Sequence, residues 1–243
     1  VSVVDPDGKR LGKYAPNEYT DWIAERVEPW TYLKFPYLKK VGWKGFVDGN
    51  DSGVYMATPL SRLNAADGMA TPLAQAEYEK MYSTLGGKPV HQRLAIHWAR
   101  LIELLYAAER WVELVTDPEI TSDNFRTIPT EKPTEGVGIV EAPRGTLTHH
   151  YVTDERGIAT RVNLIVGTTN NYAALQMSTN KAARALIKNG VVNEGLLNMV
   201  EMAFRAYDPC FGCATHSMIG QMPLEVPLHA STGNPIDVCK QHC

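Results

Sequence analysis

A long stretch of helical periodicity, residues 90–115, constrains the fold of this chain more than any other feature. Apolar side chains recur there at spacings of four and three residues, which places them along one face of an α-helix. The members of this apolar stripe are Leu94, Trp98, Leu101, Leu105, Ala108, Val112 and Val115. At 1.5 Å per residue the helix would span about 39 Å, a length that suits a bundle helix in a larger body.

The remaining pattern predicts an α+β fold that is predominantly helical, with long bundle helices and a small antiparallel sheet. Further helices are expected at residues 17–26, 72–85, 179–188 and 193–207. Strands are expected at the start of the chain, within residues 46–64, and at residues 136–140, 146–153 and 159–166. The last three would form the sheet, with a hairpin turn at residues 154–157. No repeat or linker divides the chain, so one domain is expected.

The composition is that of an ordinary globular protein. The 243 residues are 44% hydrophobic and 21% charged, with a formal net charge of −3. This balance argues against nucleic acid or an anionic membrane as a partner. An uninterrupted apolar run of about 18 residues is absent from the sequence, so no membrane span is expected. The start has neither a methionine nor a signal-peptide pattern, which indicates a processed start or a piece of a longer chain.

Candidate chemistry is concentrated near the C-terminus, where residues 208–216 read Asp-Pro-Cys-Phe-Gly-Cys-Ala-Thr-His. No cysteine precedes Cys210, and Cys213 follows close enough for both thiols to reach one metal ion. Soft thiolates select nickel, copper, zinc or iron over magnesium or calcium. Pro209 ends the helix predicted before it, so a rigid element directs Cys210. Clustered thiols without an export signal indicate a reducing compartment, and we expect a cytoplasmic location.

Several segments together resemble the large, catalytic subunit of [NiFe]-hydrogenases. Residues 208–216 are similar to the family motif D-P-C-x-x-C-x-x-H. Residues 141–149 resemble E-A-P-R-G-x-L-x-H, and residues 59–64 resemble P-L-A-R-L-N. Residues 166–171 resemble V-P-T-T-W-N, except that Gly167 replaces the proline and Asn170 the tryptophan. These segments occur in the family's order and cover essentially the whole chain.

The resemblance extends only to the C-terminal half of such a subunit. The family's N-terminal half carries a first motif, R-x-C-G-x-C, and nothing in this sequence matches it. The resemblance divides the chain into residues 1–216, the C-terminal part of a large subunit, and residues 217–243, a C-terminal extension. A dedicated endopeptidase often removes such an extension once nickel is loaded, so we expect this sequence to be the unprocessed form.

The resemblance also implies a Ni-Fe centre whose iron carries CO and cyanide ligands. Cys210 would be a terminal thiolate on nickel, and Cys213 would bridge nickel and iron. The implied catalytic residues are Arg144, Asp208, Cys210 and Cys213. The implied cofactor-binding residues are Pro143, Arg144, Val166 and Thr168. His216 and the Leu147 carbonyl match the ligands of a further metal ion, Mg or Fe.

The function implied by the resemblance is reversible heterolytic cleavage of H2, with electrons passed to an iron–sulfur small subunit. The implied partners are the maturation endopeptidase, that small subunit, H2 itself, and the N-terminal half of the large subunit. Taken alone, the cysteines leave a second hypothesis open, a non-enzymatic zinc or thiol-redox module built on Cys210, Cys213, Cys239 and Cys243. Under that hypothesis, replacing Cys239 and Cys243 would unfold the module.

Overall fold

The computed structural model describes residues 1–215, 224–229, 232–233 and 235–241. The helices are α1 Tyr19–Trp22, α2 Pro59–Ala65, α3 Pro72–Thr84, α4 Ala95–Thr116, α5 Tyr172–Leu186, α6 Glu194–Arg205 and α7 Phe211–Thr215. The strands are β1 Ser2–Val4, β2 Arg10–Lys13, β3 Ile23–Val27, β4 Lys34–Leu38, β5 Glu135–Ala142, β6 Gly145–Thr153, β7 Ala159–Ile165, β8 Leu224–His229 and β9 Pro235–Gln241. Short 3-10 turns lie at Pro16–Glu18, Pro118–Thr121 and Gly167–Asn171. The predicted α+β class is confirmed.

The predicted three-stranded sheet is present, with β6 between β5 and β7 and each pair antiparallel. The expected turn joins β6 to β7, and Gly157 adopts a φ of 77° there. A tighter connection joins β5 to β6, because Ala142 pairs with Gly145 and leaves only Pro143 and Arg144 between the strands. Arg144 therefore lies at the tip of a two-residue hairpin.

The main core lies where α2, α3 and α4 pack together. Its largest fully buried side chains include Met81 of α3 and Ile96 and Ile102 of α4. Ala99 of α4 and Ala206, which follows α6, are also fully buried in this cluster. The small alanines allow the helices to approach closely, so the end of α6 is fixed against the body of α4.

Only part of the apolar stripe of α4 faces this core, since Trp98 and Leu105 pack against it as partly buried side chains. Leu94, Leu101 and Val112 are 68%, 63% and 65% exposed, and the helix buries Ala95, Ile96, Ala99 and Ile102 instead. The helix also begins at residue 95, five residues later than expected. Its first backbone hydrogen bonds, from residues 95–97 to the carbonyls of residues 92–94, are those of tight turns that span three residues. Periodicity identifies an apolar face, but it does not say which neighbour covers that face.

Three other predicted boundaries were wrong. The helix expected at 17–26 ends at Trp22, because Ile23–Val27 pairs with β4 as a strand. Within residues 46–64, Val54 makes only an isolated bridge to Tyr37, and the predicted strand gives way to α2. The helix expected at 179–188 begins earlier, at Tyr172. In the first case, pairing with β4 overrides the local helix propensity of the residues after Trp22.

Among the described residues, no helix is long and apolar enough to cross a membrane. The tail contains the antiparallel pair of β8 and β9, with Cys239 in β9. His216, residues 217–223 of the predicted extension, and Cys243 lie outside the described residues.

Candidate metal centre

The Cys210 loop follows directly from the end of α6. Asn193 caps the start of this helix, since its Oδ1 accepts a hydrogen bond from Leu196 N at 3.0 Å. Tyr207, two residues past the last helical residue, is only 1% exposed. Asp208 then adopts a φ of 52°, a left-handed conformation that asparagine and aspartate tolerate better than most residues. The chain thus turns sharply before it reaches Pro209 and Cys210.

Two arginines near the start of α4 hold the segment before this turn. Arg100 Nη2 donates to the Ala206 carbonyl at 3.0 Å, and Arg93 donates to the Tyr207 hydroxyl. That hydroxyl also lies 2.9 Å from Ser178 Oγ of α5. Burial raises the pKa of Tyr207, so the hydroxyl stays neutral and keeps its proton for these contacts. The approach to Cys210 is therefore fixed by α4 and α5.

Arg144 and Asp208, expected to form a pair, are in contact. Arg144 Nε donates to the Asp208 carbonyl at 2.8 Å and lies 3.2 Å from the carboxylate oxygen Oδ2. Both side chains are partly exposed, at 37% and 43%. Within the described part of the chain only Nε of this guanidinium makes such contacts, so its two terminal nitrogens can donate to a further acceptor.

Thr168 connects the Cys210 loop to the turn that precedes α5. The residue is buried, 3% exposed, and its Oγ1 accepts a hydrogen bond from Cys210 N at 3.1 Å. A hydroxyl that accepts one bond still has its own proton to donate. Cys210 would bind a metal ion as the thiolate.

The structure brings some of the predicted residues together and leaves others unsettled. Pro143 is at the hairpin tip beside Arg144, and Val166 immediately precedes the turn that carries Thr168. Leu147 lies in β6, opposite Val140. The backbone of Cys213 lies in α7, its side chain is not described, and His216 is outside the described residues.

The described residues do not form a complete metal site. No group of three or more His, Cys, Asp or Glu side chains within them is arranged to hold a metal ion. The soft donor set up to His216 consists of Cys210 and Cys213, which suits nickel or iron but supplies only two thiolates. A cavity of about 710 Å³ is lined by other described residues, and none of Arg144, Thr168, Asp208 or Cys210 is among them.

An ionic cluster that the sequence did not reveal surrounds the pair. Arg62 of α2 makes a two-pronged ion pair with Glu103 of α4, at 2.8 Å and 2.5 Å. Desolvation lowers the pKa of Arg100, while the charges of Asp208 and Glu103 act in the opposite direction. Together with Arg144, the cluster thus contains three guanidiniums and only two carboxylates, those of Glu103 and Asp208. This excess of positive charge favours an anionic ligand nearby. The sequence feature that could have indicated this cluster is Glu103, a charged residue among the core-facing residues of α4.

The comparisons with known proteins agree on one family. A family model described as nickel-dependent hydrogenase matches residues 54–216. The chain is 50% identical over 234 residues to an iron-sulfur subunit of the F420-non-reducing hydrogenase of Archaeoglobus profundus, covering 96% of this chain and 48% of that protein. It is 40% identical over 240 residues to the beta subunit of the NAD-reducing hydrogenase HoxS of Cupriavidus necator, covering 98% and 48%.

A solved structure supports the same relationship. The crystal structure of an NAD+-reducing [NiFe]-hydrogenase in the H2-reduced state matches with a TM-score of 0.81 at 39% identity, over 88% of this chain and 46% of that one. The chain therefore belongs to the nickel-dependent hydrogenase family. It spans about half the length of the curated relatives it matches.

Proposed function

We propose that this chain is the C-terminal half of the catalytic subunit of a cytoplasmic [NiFe]-hydrogenase. The whole enzyme would cleave H2 reversibly and heterolytically and pass the electrons to an iron–sulfur small subunit. The observation that carries the proposal is the convergence of Arg144 and Asp208 on the Cys210 loop, in a chain that belongs to this family.

The proposal gives each residue of the site a role. Cys210 and Cys213 would bind the Ni-Fe centre, with its CO and cyanide ligands, and that centre would supply the soft, electron-rich metals at which H2 is split. Thr168 fixes the backbone of Cys210 and has a hydroxyl proton to donate to an anionic ligand. Arg144, fixed by Asp208, presents its terminal nitrogens as charged donors. Pro143 and Val166 flank these donors.

The exposed apolar face of α4 supports the presence of a second half of the large subunit, which would cover this face. Besides the exposed members of the stripe, Leu104, Trp111 and Leu114 are 64%, 71% and 53% exposed on this helix. Apolar surface of this extent is rare on a protein that stands alone. We assign it to the N-terminal half of the large subunit, which would supply the two missing thiolates and exclude water from Arg144 and Asp208.

The proposal also covers the end of the chain. His216 and the Leu147 carbonyl would ligate a further ion, Mg or Fe. Residues 217–243 would then be removed by a maturation endopeptidase, leaving residues 1–216 in the enzyme. Cys239 and Cys243 would have no part in the mature site, in contrast to the zinc or thiol-redox hypothesis, which needs both.

A comparison of two cysteine variants tests the proposal. The complex, produced in a host that matures it, is expected to reduce a viologen dye with H2, and Cys210→Ser is expected to lose both nickel and this activity. Cys239→Ser is the matched control and is expected to keep both. Dye reduction that fails in a nickel-loaded wild-type complex, or that depends on Cys239 and not on Cys210, would contradict the proposal.

A further inference from the structure

The hairpin tip that carries Arg144 is held at three backbone carbonyls. The carbonyls of Ala142, Arg144 and Thr146 each accept a hydrogen bond from a side chain of a distant segment. A side chain at Gly145 would clash, because its Cβ would lie 2.2 Å from the Gly167 carbonyl oxygen. The tip is therefore pressed against the 3-10 turn that carries Thr168, and its position depends on these contacts.

Asn171 makes the central contact of the three. Its Nδ2 donates to the Arg144 carbonyl at 2.7 Å, and its Oδ1 accepts from Ala57 N at 2.9 Å. An N–H can only donate and a carbonyl can only accept, so this orientation of the amide is fixed by its partners. Asn171 is 1% exposed, so neither contact is replaced easily by water.

Asn170 holds the next carbonyl of the hairpin. Its Nδ2 donates to the Thr146 carbonyl at 2.6 Å and lies 3.1 Å from the Val166 carbonyl. The Tyr55 hydroxyl donates to Asn170 Oδ1 at 2.7 Å and so fixes the amide from the other side. This is the position at which the hydrogenase segment has tryptophan, and the asparagine here has acquired a full set of partners.

Arg62 holds the first carbonyl. Its Nη1 donates to the Ala142 carbonyl at 2.8 Å, while its other nitrogens pair with both carboxylate oxygens of Glu103. The Arg62 and Glu103 side chains are only 11% and 21% exposed. A lysine has no planar fork and cannot make all of these contacts at once.

We propose that Arg62, Asn170 and Asn171 act together as positioning residues that direct the Arg144 side chain toward the Ni-Fe centre. They bind alternate carbonyls from residue 142 to residue 146, so they fix the backbone from which Arg144 extends. The inference rests on the proposed function, because it concerns the orientation of Arg144 toward that centre. Shifts of about 1 Å in a positioned group can change rates about a hundredfold.

The test compares infrared spectra of metal-loaded complexes. Asn171→Asp retains the acceptor for Ala57 N and replaces the donor with an oxygen that repels the Arg144 carbonyl. Arg62→Lys retains the positive charge but loses the planar guanidinium that contacts Glu103 and the Ala142 carbonyl together. Asn180→Asp is the matched control, since Asn180 is an exposed residue of α5 whose Oδ1 accepts from Arg184. The cyanide stretching bands report hydrogen bonding to those ligands, which a general loss of stability would not move.

We expect Asn171→Asp and Arg62→Lys to shift the cyanide bands in the same direction as a reference variant, Arg144→Lys, measured alongside them, and to lower the H2 oxidation rate about ten- to a hundredfold. Asn180→Asp should match the wild type in both. If Asn171→Asp fails to accumulate, Tyr55→Phe carries the test, because it removes only the hydroxyl that fixes Asn170. Bands at wild-type positions in Arg62→Lys and Tyr55→Phe would overturn the inference. Failure of the proposed function is distinct, since the wild type itself would then lack these bands.

Discussion

At the scale of single residues, the site depends on the left-handed backbone at Asp208. A residue with a side chain adopts this conformation at a cost of about 1 kcal/mol, so neighbouring contacts must stabilise it. Arg144 contacts both the carbonyl and the carboxylate of Asp208. The same two contacts that support the turn therefore also orient the guanidinium beside Cys210.

We predict that Asp208→Asn separates these two roles. Asparagine tolerates the left-handed region, so the free energy of unfolding should change by less than about 1 kcal/mol. The carboxylate that fixes Arg144 is lost, and H2-dependent dye reduction should fall about ten- to a hundredfold. Denaturant unfolding of the chain and activity of the loaded complex measure the two effects. Activity within about twofold of wild type would show that the carboxylate does not orient Arg144.

At the scale of elements, α4 caps α3 through one side chain. Glu109 accepts hydrogen bonds from Thr71 Oγ1 at 2.6 Å and from the backbone N–H groups of Leu73 and Ala74 at 3.0 Å and 2.9 Å. Desolvation raises the pKa of Glu109, but these three bonds outweigh it and the pKa lies below its ordinary value. The charged form is thus the one that stabilises the fold.

This lowered pKa predicts a pH dependence of stability. The contribution of Glu109 should be present in full above its unfolded pKa of about 4.3 and should be lost as the pH falls through the lower folded value. The urea midpoint of Glu109→Gln should therefore lie below that of wild type at pH 7, with the difference shrinking below about pH 4.3. Glu113→Gln, on the same helix, is the control. A difference that does not vary with pH would contradict the capping role.

The exposed face of α4 gives a second prediction at this scale. Replacing both Leu101 and Val112 with glutamate should weaken binding of the N-terminal half at least a hundredfold, since each buried side chain of this size contributes roughly 1.5–3 kcal/mol. The matched control places the same charges at Gln92 and Asn180, outside the stripe. Co-purification of the two halves, expressed as separate chains, measures the effect. Equal recovery of the two double variants would show that the face has another occupant.

At the scale of the whole molecule, the sequence predicted local features well and long-range ones poorly. The β6–β7 turn and the end of α3 carry their own signals, namely Asp-Glu-Arg-Gly and paired glycines. The pairing of Arg144 with Asp208, 64 positions apart, was expected only because two motifs occur together in one family. Asn171 was missed because its two partners belong to segments that only the fold brings to it.

The orientation of α4 shows the same limit. Its apolar stripe was predicted as one face, but this chain covers only Trp98 and Leu105 of that stripe and buries the adjacent face with Ala95 and Ala99 more completely. Burial depends on what surrounds a helix, and the chain spans about half the length of the relatives it matches. The apolar pattern of α4 is therefore that of a helix in a larger protein, and this chain buries only part of it.

The central claim, that Cys210 and its neighbours belong to a Ni-Fe centre with diatomic ligands, is tested most directly by an infrared spectrum. The sample is the complex purified anaerobically from its own source, with nickel and iron measured in the same preparation. We predict one CO band and two cyanide bands in the region where these ligands stretch. A complex with stoichiometric nickel and iron and no band in that region would contradict the account.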